Sequence, residues 1–276
     1  MTSFSGTPAQ FAAGGFTTRP PRRALADAVS ASLVFAGRAL LKIRHAPEQL
    51  TDAVAIPVLF TLLFTYLFGG ALAGSTGEYL KALLPGTLVM AILLVTVYTG
   101  TVLKTDLDRG VLDRFRSTAT WRPAVIVGGM IGDMARCLLA GTIVIALGLV
   151  MGFRPDGGAG GVLAAMGLVL IFSFSLSWVW TTLALLVRTP ASLSLVSFVV
   201  QFPLLFASNV FVDPNTMPGW LRTFVNVNPV SDLVTTVRAL VGGTATAGQV
   251  ELVLAASAAL VAVFAPLTMY LYRTKP

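Results

Sequence analysis

Groups that carry chemistry are scarce in this chain. There is one cysteine, Cys137, so no disulfide framework can form, and one histidine, His45, too few for a histidine-based metal site. A serine–histidine triad lacks its surroundings as well, since charged residues make up only 11 % of the 276 positions. A soluble domain carries about twice that share. None of the four lysines, Lys42, Lys81, Lys104 and Lys275, follows a glycine in the Gly-x-x-x-x-Gly-Lys-Ser/Thr pattern that cradles nucleotide phosphates. The uncharged stretches hold almost no ionisable groups, whereas an ion-driven transporter keeps carboxylates at mid-membrane. With no catalytic residues, no metal ligands and no cofactor site in view, the chain alone is not expected to be an enzyme. Energy for any active transport has to come from a partner.

What is abundant is apolar. Hydrophobic residues reach 55 % and the mean hydropathy is +0.83, more apolar surface than a 29 kDa soluble chain can bury. Lipid is therefore the expected solvent. Charges punctuate six uncharged stretches, of 25, 22, 17, 31, 24 and 21 residues, closed by Asp52–Glu78, Lys81–Lys104, Arg136–Arg154, Asp156–Arg188, Arg188–Asp213 and Glu251–Arg273. About 20 apolar residues cross a bilayer as a helix, with about 17 as the lower limit. Six transmembrane helices are expected near 53–73, 83–103, 131–153, 162–187, 193–212 and 251–271. With the N-terminus inside, 15 of the 19 positive residues fall on cytosolic segments, which puts both termini in the cytosol. The net charge of +7 sits between spans rather than along one face, so it signals a membrane and not nucleic acid.

The fold class that follows is an all-α integral membrane protein. Residues 1–22, rich in Gly and Pro and without an apolar core for a signal peptide, are expected to be a disordered cytosolic tail. Residues 23–50 are expected to form an amphipathic interfacial helix ahead of the first span. In it Leu25, Val29, Leu33, Ala36, Leu40 and Ile43 recur at helical steps, with Arg38, Lys42 and Arg44 off the stripe. The transmembrane domain covers 51–272, and 273–276 are a second cytosolic tail. The inner loop 104–123 has eight charges of both signs in 20 residues, and by charge alone a short helix and a solvated loop fit it equally. The outer stretch 213–248 reads as two short helices, one around Trp220–Val225 and one capped by Ser231 and ended by Gly242-Gly243, with the break at Asn228-Pro229.

Some polar residues stand out within the spans. Asp133 and Arg136, three apart, share a helix face at the inner end of the third span, as an interfacial ion pair or as part of a relay. Gly157–Gly161 reads as a plain outer turn. Ser177, Gln201 and Asn209, beside Trp178, Trp180 and Phe202, either make interhelical hydrogen bonds or line a mildly polar translocation surface.

The run Asp108-Arg109-Gly110-Val111-Leu112-Asp113-Arg114-Phe115-Arg116-Ser117, followed by Gly128-Gly129, Asp133 and Arg136, resembles the daunorubicin/doxorubicin-resistance branch of the type-two ABC exporter permeases. Ala119 stands where that branch usually has Pro, which moves the break to Pro123. Leu204, Ala207, Ser208, Val210, Met217, Pro218, Pro229 and Arg238 match the family's C-terminal spacing, while Gln201, Val230 and Asp232 depart from it. The resemblance spans 24–272. It implies a permease that moves an amphipathic drug, antibiotic or lipid-like substrate out across a bacterial cytoplasmic membrane. The implied assembly has a second permease chain and a soluble ABC ATPase that holds ATP and Mg, and coupling to that ATPase falls to Asp108, Gly110, Asp113, Arg114, Phe115 and Arg116. A polysaccharide or teichoic-acid exporter, and a passive channel or structural subunit, are the alternatives.

Overall fold

The computed structural model describes residues 47–73, 75–109, 124–211 and 216–274. The expected tail at 1–22, residues 23–46 of the interfacial segment, and residues 110–123 of the inner loop lie outside them. The described residues form eight helices: α1 (Pro47–Ala73), α2 (Thr76–Asp108), α3 (Ala124–Val150), α4 (Gly158–Leu186), α5 (Pro190–Phe206), α6 (Gly219–Val227), α7 (Pro229–Val241) and α8 (Ala247–Thr274). No strand occurs among the described residues.

Local chemistry sets several of the helix starts. The Ser75 hydroxyl accepts the Glu78 amide at 3.2 Å, in the Ser-x-x-Glu spacing of a capping box. Thr189 accepts from the Ser192 amide and Pro190 opens α5 with its fixed φ. The second short helix is capped by Asn228, whose side-chain oxygen accepts the Val230 amide, and Pro229 follows. Ser231, the expected cap, lies one turn inside α7, because Asn228 already holds the orphan amide. Gly243, at φ 73°, turns the chain out of α7.

α2 runs through the middle and packs on α1, α3, α4, α5 and α7, while α4 packs on α2, α3, α7 and α8 and lightly on α5. Of the most apolar stretch of α2, 78 % is buried; of that of α8, 17 %. The one is core and the other is wall. A larger apolar cluster gathers Leu84, Leu88, Ile92, Val144, Phe172, Leu205, Leu233 and Val237. A smaller one holds Leu103, Met130, Trp178, Leu193 and Tyr272 toward the C-terminal end of α2. Around them Leu59, Leu67, Leu139, Leu163, Leu195, Phe198, Leu252 and Val263 point outward. Large apolar side chains outside and threonines, serines and an ion pair inside are the inversion that a lipid solvent produces.

Four helices are long and apolar enough to cross a membrane: α2, α4, and the 126–150 and 247–272 portions of α3 and α8. This is a multi-pass membrane protein. The expected first and fifth spans correspond to α1, 27 residues long, and to the 17-residue α5. α2 continues through Asp108, into the expected inner loop. α3 starts at Ala124, before the expected 131, because Asp133 and Arg136 neutralise each other and do not end the helix. Gly157 and Gly161 are more than a turn: a Cβ at either would run into the Leu240 carbonyl, and the Gly157 amide donates to Val241 O at 2.8 Å. They let α4 begin in direct backbone contact with the end of α7.

Candidate functional site

The charged end of α2 is the one part of the expected coupling segment within the described residues. Asp108 closes the helix, and Lys104 Nζ lies 2.8 Å from its carboxylate, an i,i+4 pair that extends the helix past its apolar length. Gly110, Asp113, Arg114, Phe115 and Arg116 lie outside the described residues.

Asp133 and Arg136 come together. Arg136 Nη1 donates to Asp133 Oδ1 at 2.7 Å, and both side chains are nearly closed to solvent, at 7 % and 5 % exposed. One turn further on, Cys137 Sγ faces Ile92 O, at the middle of α2. The pair therefore sits about 13 Å into α3, level with Thr96.

The six residues expected on a translocation surface occupy three settings. Trp180 is fully buried and its Nε1 donates to Thr96 Oγ1 at 2.8 Å, joining α4 to α2. Gly100 allows that approach, since a Cβ there would lie 2.8 Å from Trp180 O. Ser177 is buried and donates to Ser173 O within its own helix, and the buried indole N–H of Trp178 has no acceptor among the described residues. Gln201 is buried on α5 with neither end of its amide partnered among the described residues. Phe202, about 100° round α5 from Gln201, is exposed and stacks on Phe206 with centroids 4.4 Å apart. Asn209 lies just past α5, and its amide donates to Thr235 Oγ1 of α7 at 2.7 Å. The structure joins Trp180 to α2 and Asn209 to α7 but does not gather all six on one face.

α7 is tied down at both ends. Arg238 Nε donates to Ala82 O of α2 at 3.0 Å and its Nη2 to Asn209 O at 3.2 Å. The Asn228 amide donates to Leu204 O and Ala207 O, covering carbonyls left open at the end of α5. Burial raises the Asp232 carboxyl, in the first turn of α7, above its ordinary value. Along the outside, rings form an unbroken series: Phe198, Phe202 and Phe206 on α5, Phe211 after it, and Phe60, Phe64 and Phe68 on α1.

Residues 32–241 match the model of the ABC-2 type transporter family. The chain belongs to this family. Among ABC-2 type relatives it is 50 % identical over 254 residues, 92 % of this chain and 90 % of the other, to a daunorubicin resistance ABC transporter permease protein (DrrB1) of Streptomyces coeruleorubidus. A probable doxorubicin resistance ABC transporter permease protein (DrrC) of Mycobacterium tuberculosis is 23 % identical over 203 residues, 72 % of this chain and 73 % of its own. A putative transport permease (ycf38) of Cyanophora paradoxa is 23 % identical over 211 residues, 75 % and 72 % of the two chains. The ABC-2 match ends at Val241, the last residue of α7.

Two features of this ABC-2 chain escaped sequence reasoning. The ring series was visible as Phe60/Phe64/Phe68 and Phe198/Phe202/Phe206, two runs at i,i+4 spacing that put their rings on one face of each helix. Arg238 stood out in the sequence only through its match to the family's C-terminal spacing, which gives no hint of the clamp it makes.

Proposed function

We propose that this chain is the permease subunit of an ABC exporter that moves an amphipathic drug, antibiotic or lipid-like molecule out of a bacterial cell. The observation that carries this is the 50 % identity, over nine-tenths of both chains, to a permease named for daunorubicin resistance. ATP and Mg are held by a separate soluble ABC ATPase, and a second permease chain completes the membrane assembly. Six spans, with α1 and α5 as first and fifth, leave both termini in the cytosol; the 15-to-4 distribution of positive residues supports this. The charged end of α2 then faces the cytosol, and α6 and α7 lie at the outer side.

The coupling residues are Asp108, Gly110, Asp113, Arg114, Phe115 and Arg116, docked on the ATPase. Closure of the ATPase on ATP displaces this segment, and α2, continuous with it through the Lys104–Asp108 pair, carries the motion into the bundle. Of the six residues expected on a translocation surface, Trp178, Gln201 and Phe202 remain available to a cargo, whereas Ser177, Trp180 and Asn209 are engaged within the bundle; the phenylalanines of α5 and α1 offer ring faces to a planar apolar cargo. The stretches that carry those rings, 53–69 and 189–211, contain no charged residue, which suits an amphiphile better than an ion.

The experiment pairs the chain with its ATPase in proteoliposomes. Replacing both Arg114 and Arg116 with Glu should abolish permease-stimulated ATP hydrolysis and drug efflux while the chain still inserts. Undiminished stimulation rejects the coupling assignment, and transport without any ATPase rejects the exporter.

A further inference from the structure

Helix α5 is held unlike its neighbours. Its buried stripe is Leu193, Ser197, Gln201 and Leu205, one residue per turn, and the rest of the helix is exposed or half-exposed. Leu193 belongs to the smaller apolar cluster with Leu103 and Trp178, and Leu205 to the larger one, so the two ends of the stripe are seated in apolar surroundings. Between them lie the two polar members. Ser197 is fully buried and Gln201 is 4 % exposed, yet the Ser197 hydroxyl and both ends of the Gln201 amide have no partner among the described residues. Thr99 lies one turn from Leu103 on α2 as Ser197 lies one turn from Leu193 on α5, and the buried Thr99 hydroxyl and Trp178 indole N–H likewise have no partner among the described residues.

The other seams of the bundle differ. Between α2 and α4, Trp180 donates to Thr96, which itself donates to Leu93 O. Between α4 and α8, the Thr182 and Thr268 hydroxyls lie 2.7 Å apart; one donates to the other, and the acceptor gives its own proton to a carbonyl one turn back. In these two seams polar groups are paired across the helices; lone hydroxyls such as Thr65 of α1 and Ser173 of α4 are open elsewhere, but among the described residues only Gln201 buries an amide with neither end paired. An unpaired buried amide is costly, and a helix kept permanently in this position would do better with leucine or methionine. α5 is also weakened at the same level. Pro203 has no amide to give the Val199 carbonyl, so one backbone bond is missing in the turn that carries Gln201.

From this juxtaposition we infer that the seam between α5 and α2 is the one that opens, and that Ser197 and Gln201 are a hydrogen-bonding site for an uncharged carbonyl- or hydroxyl-bearing part of the cargo. The amide supplies both a donor and an acceptor and the serine adds a hydroxyl, with no charge facing them on the stripe or from Thr99 and Trp178. A neutral oxygen substituent on an apolar ring system meets those groups, while Leu193 and Leu205 meet its hydrocarbon. In the closed position the groups are dry and unpaired; in the open one water or cargo satisfies them, and this difference favours opening when cargo is present. The cargo assignment rests on the permease function proposed above, whereas the opening of the seam does not.

Cysteine accessibility tests both. In full-length chain carrying Cys137→Ala in lipid nanodiscs, a positively charged methanethiosulfonate should label Ser197→Cys at least about tenfold faster than Thr182→Cys, an equally buried position in a paired seam. Equal, slow labelling overturns the opening, and because no ATPase is present it leaves the exporter assignment untouched. Gln201→Met, in the same background, should raise the melting temperature and slow labelling of Ser197→Cys; a lower melting temperature shows a satisfied structural amide and overturns the inference. Adding a hydroxyanthraquinone should protect Ser197→Cys, and anthracene, which lacks the oxygens, should not. Equal protection by the two, or none by the quinone, overturns the hydrogen-bonding site.

Discussion

Removing Asp133 should be among the most damaging single changes in the bundle. Its carboxylate lies 2.7 Å from Arg136 Nη1, and the guanidinium is 5 % exposed about 13 Å into α3. Arginine cannot give up its proton, so Asp133→Ala strands a full charge among Met130, Cys137 and Ala140, all fully buried. Breaking a buried pair on one side costs about 3–5 kcal/mol. For a chain of this size that is a fall in melting temperature of roughly 6–20 °C. The double variant Asp133→Leu/Arg136→Met, which keeps the volume and removes both charges, should recover most of the loss, because a matched apolar pair is neutral or even stabilising by about 1–4 kcal/mol. Thermal unfolding of the purified chain in detergent, with both single variants and the double, closes the cycle. If Asp133→Ala melts within 1–2 °C of the parent, or no lower than the double variant, the guanidinium has another route to charge compensation and the argument fails.

Two further outcomes follow from the contacts of α7. Gly161→Leu should push the start of α4 off the Leu240 carbonyl, costing about 1–3 kcal/mol and making the α6–α7 segment more susceptible to limited proteolysis; an unchanged digestion pattern contradicts the close backbone contact. For Asp232, burial raises the carboxyl, so the folded state favours its protonated form and stability is lost as pH rises through the raised value. Asp232→Asn should therefore raise the melting temperature more at pH 7 than at pH 4, and an equal change at both contradicts the assigned direction.

Sequence and structure agree where a physical constraint acts along the chain alone. The apolar lengths of α2, α4 and α8 were legible because lipid demands an uninterrupted run between charges, and Asn228-Pro229 and Gly242-Gly243 marked α7 because turn chemistry is local. Helices run past the expected span ends where charges are paired. Lys104 and Asp108 bind each other and prolong α2; Asp133 and Arg136 do the same within α3, so charge did not mean solvent. Gly157 and Gly161 read as a turn because their role depends on Leu240, some 80 positions away in the chain. Among the candidate site residues, Gln201 stood out as a departure from the family's spacing, but only three-dimensional packing shows that its amide is buried without a partner. Trp180 was legible as a large residue in a polar stretch; its bond to Thr96 was not.

The continuity of α2 has a mechanical corollary. At 33 residues it is a rod about 50 Å long, gripped along its middle by five other helices and carrying its charged foot beyond the apolar layer. Pivoted at Ile92, a tilt of about 10° sweeps each tip through roughly 4 Å in opposite directions. A push on the foot is thus returned, reversed in sense and reduced to about 2.6 Å, at Ala82, which Arg238 grasps about 15 Å beyond the pivot.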